Sequence, residues 1–206
     1  MDAKSLLILI PVLLVPWIVL LFMMLSANKR VLKNYSSLAE KYNLAVDTSK
    51  KIGMKTHPSA SGIYRNRNIK IESVVRDSIE GKKVMPHTAL IVECSNTDNF
   101  NFVVVKRKRQ NNAAFLAGSS LLEDNDFDNK FICRTNNPEK MKRIFDFNTR
   151  FKMEQVHKLG FGGHISLEGN HLMYIDKDLL KDSESLMRLE LIMHELCDIA
   201  DVMRYN

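Results

Sequence analysis

Five consecutive residues, His194-Glu195-Leu196-Cys197-Asp198, bring metal-ligating and acid-base side chains together in one short segment. On a helix His194 and Asp198 are four apart and share a face. That is the spacing by which two ligands of HExxH zinc hydrolases meet one metal while the intervening Glu acts as base. Here Asp198 stands where the second His would be, and the sequence identifies no third ligand. Met193 and Leu196 belong to an apolar stripe, so the preferred reading is an amphipathic helix with a polar outer face. A metal-dependent hydrolase using His194, Glu195 and Asp198 is the alternative.

Asp124-Asn125-Asp126-Phe127-Asp128-Asn129 resembles the start of a calcium loop, with acids at its first, third and fifth positions. The sixth is Asn129 where Gly makes the turn, and the twelfth is Thr135 where a bidentate Glu is required. Capping or turn formation is the expected role. Lys106-Arg107-Lys108-Arg109 is a compact cationic run of the kind that meets phosphates. It directly follows an apolar run, so a solvated strand end that blocks edge aggregation is its ordinary reading. No aromatic residues interleave with it and no nucleic-acid motif accompanies it. Lipid headgroups are therefore the expected partner in preference to nucleic acid.

Gly160-Phe161-Gly162-Gly163 fits neither a dinucleotide fingerprint, because Ile165 occupies the third Gly position, nor a P-loop. It predicts a turn. There is no GxSxG elbow, and Cys94, Cys133 and Cys197 fall on apolar periodic segments that suit buried inert thiols. His57, His87, His157, His164 and His171 show no ligand spacing. No cofactor and no resident metal are expected, and the chain is read as non-enzymatic.

The elements that must position these residues begin with a membrane anchor. From Ser5 to Ala27 there is no charged residue or His, and Leu6 to Leu25 is an apolar run of 20 residues. At about 1.5 Å per residue, such a helix covers about 30 Å, one hydrocarbon core. Pro11 and Pro16 predict a bend between them. Trp17 lies mid-span, away from the interfacial belts where Trp concentrates. A cleaved signal peptide would have a shorter core behind a more basic start than Asp2 and Lys4 provide. Lys29, Arg30 and Lys33 follow the span and Lys4 alone precedes it, which predicts a cytoplasmic C-terminal part. Three widely spaced Cys without a CxxC pair agree with a reducing compartment, so the sequon at Asn34-Tyr35-Ser36 is discounted.

Val31, Leu32, Tyr35, Leu38, Ala39 and Tyr42 recur at helical spacing, so the anchor helix is expected to continue as an amphipathic stalk to about Asn43. Asp47 to Ser61 reads as a linker with Gly53 and Pro58. Gly62–Arg65, Ile69–Val75, Thr88–Cys94, Phe100–Lys106 and Phe131–Arg134 read as strands, with a turn at Gly81 and a loop from Gln110 to Ser120. Asn137-Pro138 starts a helix that breaks near Asp146 and resumes. Glu168-Gly169-Asn170 joins a hairpin of His164–Leu167 and Leu172–Ile175. Leu186, Leu189, Met193, Leu196, Ala200 and Met203 mark a long C-terminal helix.

The predicted fold is α+β: an N-terminal transmembrane helix, then a mainly antiparallel sheet packed with two or three helices including a long C-terminal one. The predicted organisation is an anchor over 1–27, a stalk and linker over 28–60, and a cytoplasmic domain over 61–206. Residues 28–119 carry 17 Lys and Arg against 7 Asp and Glu, whereas residues 120–206 carry 12 against 16. This asymmetry predicts a basic half near the anionic leaflet and an acidic half held away from it. The candidate headgroup or phosphate ligands are Lys29, Arg30, Lys33, Lys106, Arg107, Lys108 and Arg109.

Phe127-Asp128-Asn129-Lys130-Phe131-Ile132-Cys133-Arg134-Thr135-Asn136-Asn137-Pro138-Glu139, followed by Ile144-Phe145, resembles a segment of uncharacterised bacterial membrane-anchored proteins grouped as domains of unknown function. Ser61-Gly62-Ile63-Tyr64-Arg65-Asn66-Arg67 is similar to their first strand and turn. The resemblance spans residues 60–205 by order of elements. It implies a membrane-tethered α+β domain and supplies no catalytic residues; the expected location is the cell (inner) membrane. The expected function is a single-pass, membrane-tethered interaction domain whose partners are the bilayer and a protein of the membrane or cytoplasm.

Overall fold

The computed structural model describes residues 3–49, 51–52, 55–76, 85–107, 122–177 and 180–205. Gly53, the turn at Gly81, Lys108 and Arg109, and the loop from Gln110 to Ser120 lie outside them. The fold is α+β, with an N-terminal apolar helix, an eight-stranded sheet and a long C-terminal helix. Every neighbouring pair of strands in that sheet is antiparallel.

Helix α1 (Ala3–Tyr42) is uninterrupted over 40 residues, through Pro11 and Pro16. It is long and apolar enough to cross a membrane. Trp17, Phe22 and Met23 are exposed on it, as an apolar helix segment without protein neighbours must be. Beyond Asn28 its character changes. Val31, Tyr35, Leu38, Ala39 and Tyr42 are buried against the rest of the chain. The expected stalk is helical, but its apolar face is part of the body's core.

The expected linker also belongs to the body. Strand β1 (Ala45–Asp47) pairs with β4 (Ser59–Tyr64), and the two-residue strands β2 (Lys51–Ile52) and β3 (Lys55–Thr56) pair with each other. Gly62 lets the chain leave α1 closely, because a Cβ there would lie 3.0 Å from Leu44 Cδ2 and 3.3 Å from its Cα. The remaining strands are β5 (Arg67–Arg76), β6 (Met85–Glu93), β7 (Phe102–Lys106), β8 (Phe131–Thr135), β9 (His164–Glu168) and β10 (His171–Asp176). Their order across the sheet is β1-β4-β5-β6-β10-β9-β7-β8.

Register explains the core. Ala60, Ile71, Leu90, Tyr174, Ile165, Val104 and Cys133 are successive cross-strand partners from β4 to β8, and all are buried. Because side chains alternate between faces, this row fixes which face of the sheet the helices cover. Each such apolar side chain contributes about 1.5–3 kcal/mol on burial.

The turn chemistry sets this register. Arg65 and Asn66, at φ +50° and +59°, form the two-residue loop between β4 and β5, and Gly169 at φ +56° opens the loop between β9 and β10. Helices α2 (Asn125–Lys130), α3 (Pro138–Ile144), α4 (Phe147–Lys158) and α5 (Ser183–Tyr205) follow. Asn137 caps α3 and Asp146 caps α4, so the expected break at Asp146 is a cap. Gly160, at φ +80°, ends α4. Its N–H donates to His157 O and that of Phe161 to Val156 O, the pairing of a Schellman motif. Gly163 has no room for a side chain, since a Cβ would lie 2.0 Å from Ile175 O.

Candidate functional site

His194 and Asp198 share a face of α5, as their spacing predicts, but each meets partners that close it to a metal. Tyr64 Oη lies 3.0 Å from His194 Nδ1 and Tyr42 Oη 3.2 Å from Nε2. The three rings meet edge to face with centroids 5.1 to 5.8 Å apart. One imidazole nitrogen can accept from a tyrosine while the other donates, which uses both. Burial, and then the Arg65 charge, hold this imidazole below its usual range.

Asp198 accepts from Arg65 Nη1 and from Lys152 Nζ, each at 2.6 Å. Against the cost of burial, these hydrogen bonds keep its carboxyl below the usual range. Asp201 receives Arg65 Nη2 at 2.9 Å and Arg67 Nη2 at 2.7 Å. The polar face of α5 is thereby stitched to the β4–β5 turn and to α4. Glu195 is 1 % exposed, and burial pushes its carboxyl up to about 7. Its nearest cation is Lys152, 3.4 Å from Oε2. Among the described residues, no group of three or more His, Cys, Asp or Glu is placed to hold a metal ion.

Two of the three acids of the calcium-like segment, Asp124 and Asp128, serve the turn into α2. Asp124 accepts from the N–H groups of Asp126 and Phe127 at the start of α2, and Asp128 accepts from those of Leu122 and Asp124. Phe127 is fully buried and Thr135 belongs to β8. The three thiols are buried, and burial pushes Cys94 and Cys197 up to about 11 and Cys133 to about 12. Such thiols stay protonated and unreactive at neutral pH.

Sequence spacing gave no hint of the buried group around Asp176. Tyr174 Oη donates to Asp176 Oδ2 at 2.6 Å, Arg188 Nε donates to the same oxygen at 3.0 Å, and Arg188 Nη1 donates to Leu159 O at 2.8 Å. These ties join β10, α4 and α5. Their residues lie far apart in sequence and carry no motif.

Five of the candidate headgroup residues are described, Lys29, Arg30 and Lys33 on α1 and Lys106 and Arg107 at the end of β7. Asn34 Nδ2 donates to Leu180 O at 2.9 Å, Lys41 bridges Glu190 at 2.8 Å, and Tyr42 meets His194. Helix α5 therefore runs alongside α1 in the same direction, and the connection from β10 to α5 lies at the end of the body next to the apolar half of α1. Ser73, Thr88 and Asp176 form one cross-strand row at that end. Val105 pairs with His164, which pairs with Ile175, so Lys106 stands one residue further along, level with Asp176. Lys29, Arg30 and Lys33 on α1 and Lys106, the last residue of β7, with Arg107 after it are thus toward the same end of the molecule, with α1 on β1 and β4 at one edge of the sheet and β7 next to last at the other. Lys177 and Lys181, which the sequence analysis did not single out, are exposed in the connection after β10. Of the strands before residue 120, β1, β4, β5 and β6 are contiguous in the sheet, and β7 lies among the later strands β9 and β8.

Comparison with protein-family models, curated proteins and solved structures finds no match for this chain.

Proposed function

We propose that this chain is a single-pass membrane-tethered protein whose body is a non-enzymatic interaction domain on the cytoplasmic side of the cell membrane. The observation that carries the reading is the continuity of α1. A helix long and apolar enough to cross a bilayer runs without a break into the core of the body, where Tyr35 and Leu38 are at most 1 % exposed. A flexible linker would let the body roam; this connection fixes its height and orientation at the surface.

Lys29, Arg30 and Lys33 directly after the apolar run favour the cytoplasmic side. Three buried, unpaired cysteines suit a reducing compartment. The partners of His194 and Asp198 favour a structural role for the segment that sequence spacing offered as a hydrolase centre. The resemblance of residues 127–139 to uncharacterised bacterial membrane-anchored proteins accords with a tether.

Two measurements test the proposal. Membranes from cells expressing the chain are washed with alkaline carbonate, and retention in the pellet is expected. A reporter active only in the cytoplasm, fused after Asn206, is expected to work. Release by carbonate removes the tether, and a silent reporter with an active exported one reverses the orientation.

A further inference from the structure

We propose that the end of the body nearest the apolar half of α1 is a docking surface for an anionic phospholipid leaflet, in which Lys106, Arg107, Lys177 and Lys181 act together with Lys29, Arg30 and Lys33. This inference rests on the tether proposed above and adds the surface through which the body meets the membrane.

The first argument is position. Asn34, hydrogen-bonded to Leu180 O, is about 9 Å along the helix from Asn28, where the apolar run has ended. Lys177 and Lys181 flank Leu180 in the connection that this bond holds against α1. They therefore lie near the level of Asn34, about 9 Å beyond Asn28, a distance comparable with the Debye length of roughly 8 Å in physiological salt. The sheet register brings Lys106 level with Asp176, immediately before Lys177.

The second argument is charge. Of the acids toward this end, Asp176 and Glu154 are paired with cations within the protein, while Asp178, between Lys177 and Lys181 in the sequence, and the exposed Asp182 and Glu184 offset part of the basic charge. Asp176 is buried and bonded to Arg188, Glu154 bridges Lys130 at 2.7 Å, and Asp182 caps the start of α5 through Ser185 N at 2.8 Å. Glu184 is the exposed acid of the first turn of α5. His157, on α4, registers the local field: burial first, and then the charges of Lys106 and Lys130, hold its imidazole below the usual range.

The third argument is shape. The cations come from α1, which packs on β1 and β4 at one edge of the sheet, from the end of β7, next to last at the other edge, and from the connection after β10 between them. A ligand touching all three must be broad, flat and crossed by α1. An anionic leaflet meets that description, and juxtamembrane lysines and arginines are attracted to it.

The test is amine footprinting of the full-length chain in nanodiscs of neutral phosphatidylcholine and of phosphatidylcholine with anionic phosphatidylglycerol. Acylation of Lys106, Lys177 and Lys181 is expected to slow about fivefold in anionic discs, the order set by the attraction of one basic residue to such a surface. Lys70 and Lys142, away from this end, should be unaffected. High salt should abolish the difference, and free inorganic phosphate added to neutral discs should not reproduce it. In the variant Lys106→Gln/Arg107→Gln, the slowing at Lys177 and Lys181 should weaken; in Lys106→Arg it should persist. Equal acylation in both kinds of disc, or slowing that ignores salt, overturns the docking surface while leaving the tether standing. Failure of the chain to remain in either disc overturns the tether itself.

Discussion

Leu38 lies on the face of α1 that packs into the body, 1 % exposed, between Tyr35 at 0 % and Tyr42 at 9 %. Replacing it by Ala removes buried apolar volume and leaves a cavity between helix and body, which costs about 2–5 kcal/mol. For a body of this size, each kcal/mol shifts the melting temperature by about 2–4 °C, so Leu38→Ala should lower it by about 5–15 °C. Leu32, one and a half turns earlier on the same helix, is 37 % exposed. Leu32→Ala should stay within about 0.5 kcal/mol of wild type. Near-ultraviolet circular dichroism of the full-length chain in detergent follows tertiary packing of the tyrosines, including Tyr42, Tyr64 and Tyr174, which lie outside the span. If Leu38→Ala melts with Leu32→Ala and wild type, α1 beyond Val31 is a free stalk and the rigid tether is wrong.

Glu195 should make stability depend on pH in a defined direction. Its carboxyl is raised by burial from 4.5 to about 7, so between those pH values the folded chain holds the proton more tightly than the unfolded one. Stability therefore falls as pH rises through this window. Glu195→Gln should be more stable than wild type by roughly 1–3 kcal/mol at pH 8, with the advantage shrinking towards pH 5, as read from denaturant midpoints at the two pH values. Arg188→Met strips the buried Asp176 of its cation and should cost about 3–5 kcal/mol by the same measurement. A loss below about 1 kcal/mol would mean that solvent reaches Asp176.

The legible parts of this fold were those decided locally. The apolar helical stretch of α1 follows from charge-free length, α5 from an apolar stripe sustained over its whole length, and the β9–β10 hairpin from Glu168-Gly169-Asn170. The caps Asn137 and Asp146 also announce their helices, since a short polar side chain ahead of a helix has few other uses. What the sequence hid was decided at a distance. Strand β1 exists because Ala45, Val46 and Asp47 find Ser61, Ala60 and Ser59, and three residues are too few to carry a periodicity of their own. The core face of α1 was visible as a stripe, but not what it packs against. His194 and Asp198 were read correctly as sharing a face. Their partners Tyr42, Tyr64, Arg65 and Lys152 come from three other elements, and these decide what the pair can do. The level of Lys106 likewise depends on register: pairing through β9 sets it level with Asp176, two strands away, which no local sequence signal announces.

The most direct test of the tether as a rigid connection is a distance from the far end of the body to the bilayer. Arg204 is exposed near the C-terminal end of α5, which runs about 35 Å away from the apolar half of α1. A fluorophore on Arg204→Cys, with the native thiols buried, can transfer energy to acceptor lipids in a nanodisc. Together with the first turns of α1 beyond the apolar run, α5 places that label about 40 Å from the headgroups. A single narrow distribution near this distance is the expected result. A broad distribution reaching down to the headgroups would show a body swinging on a flexible stalk and would contradict the account.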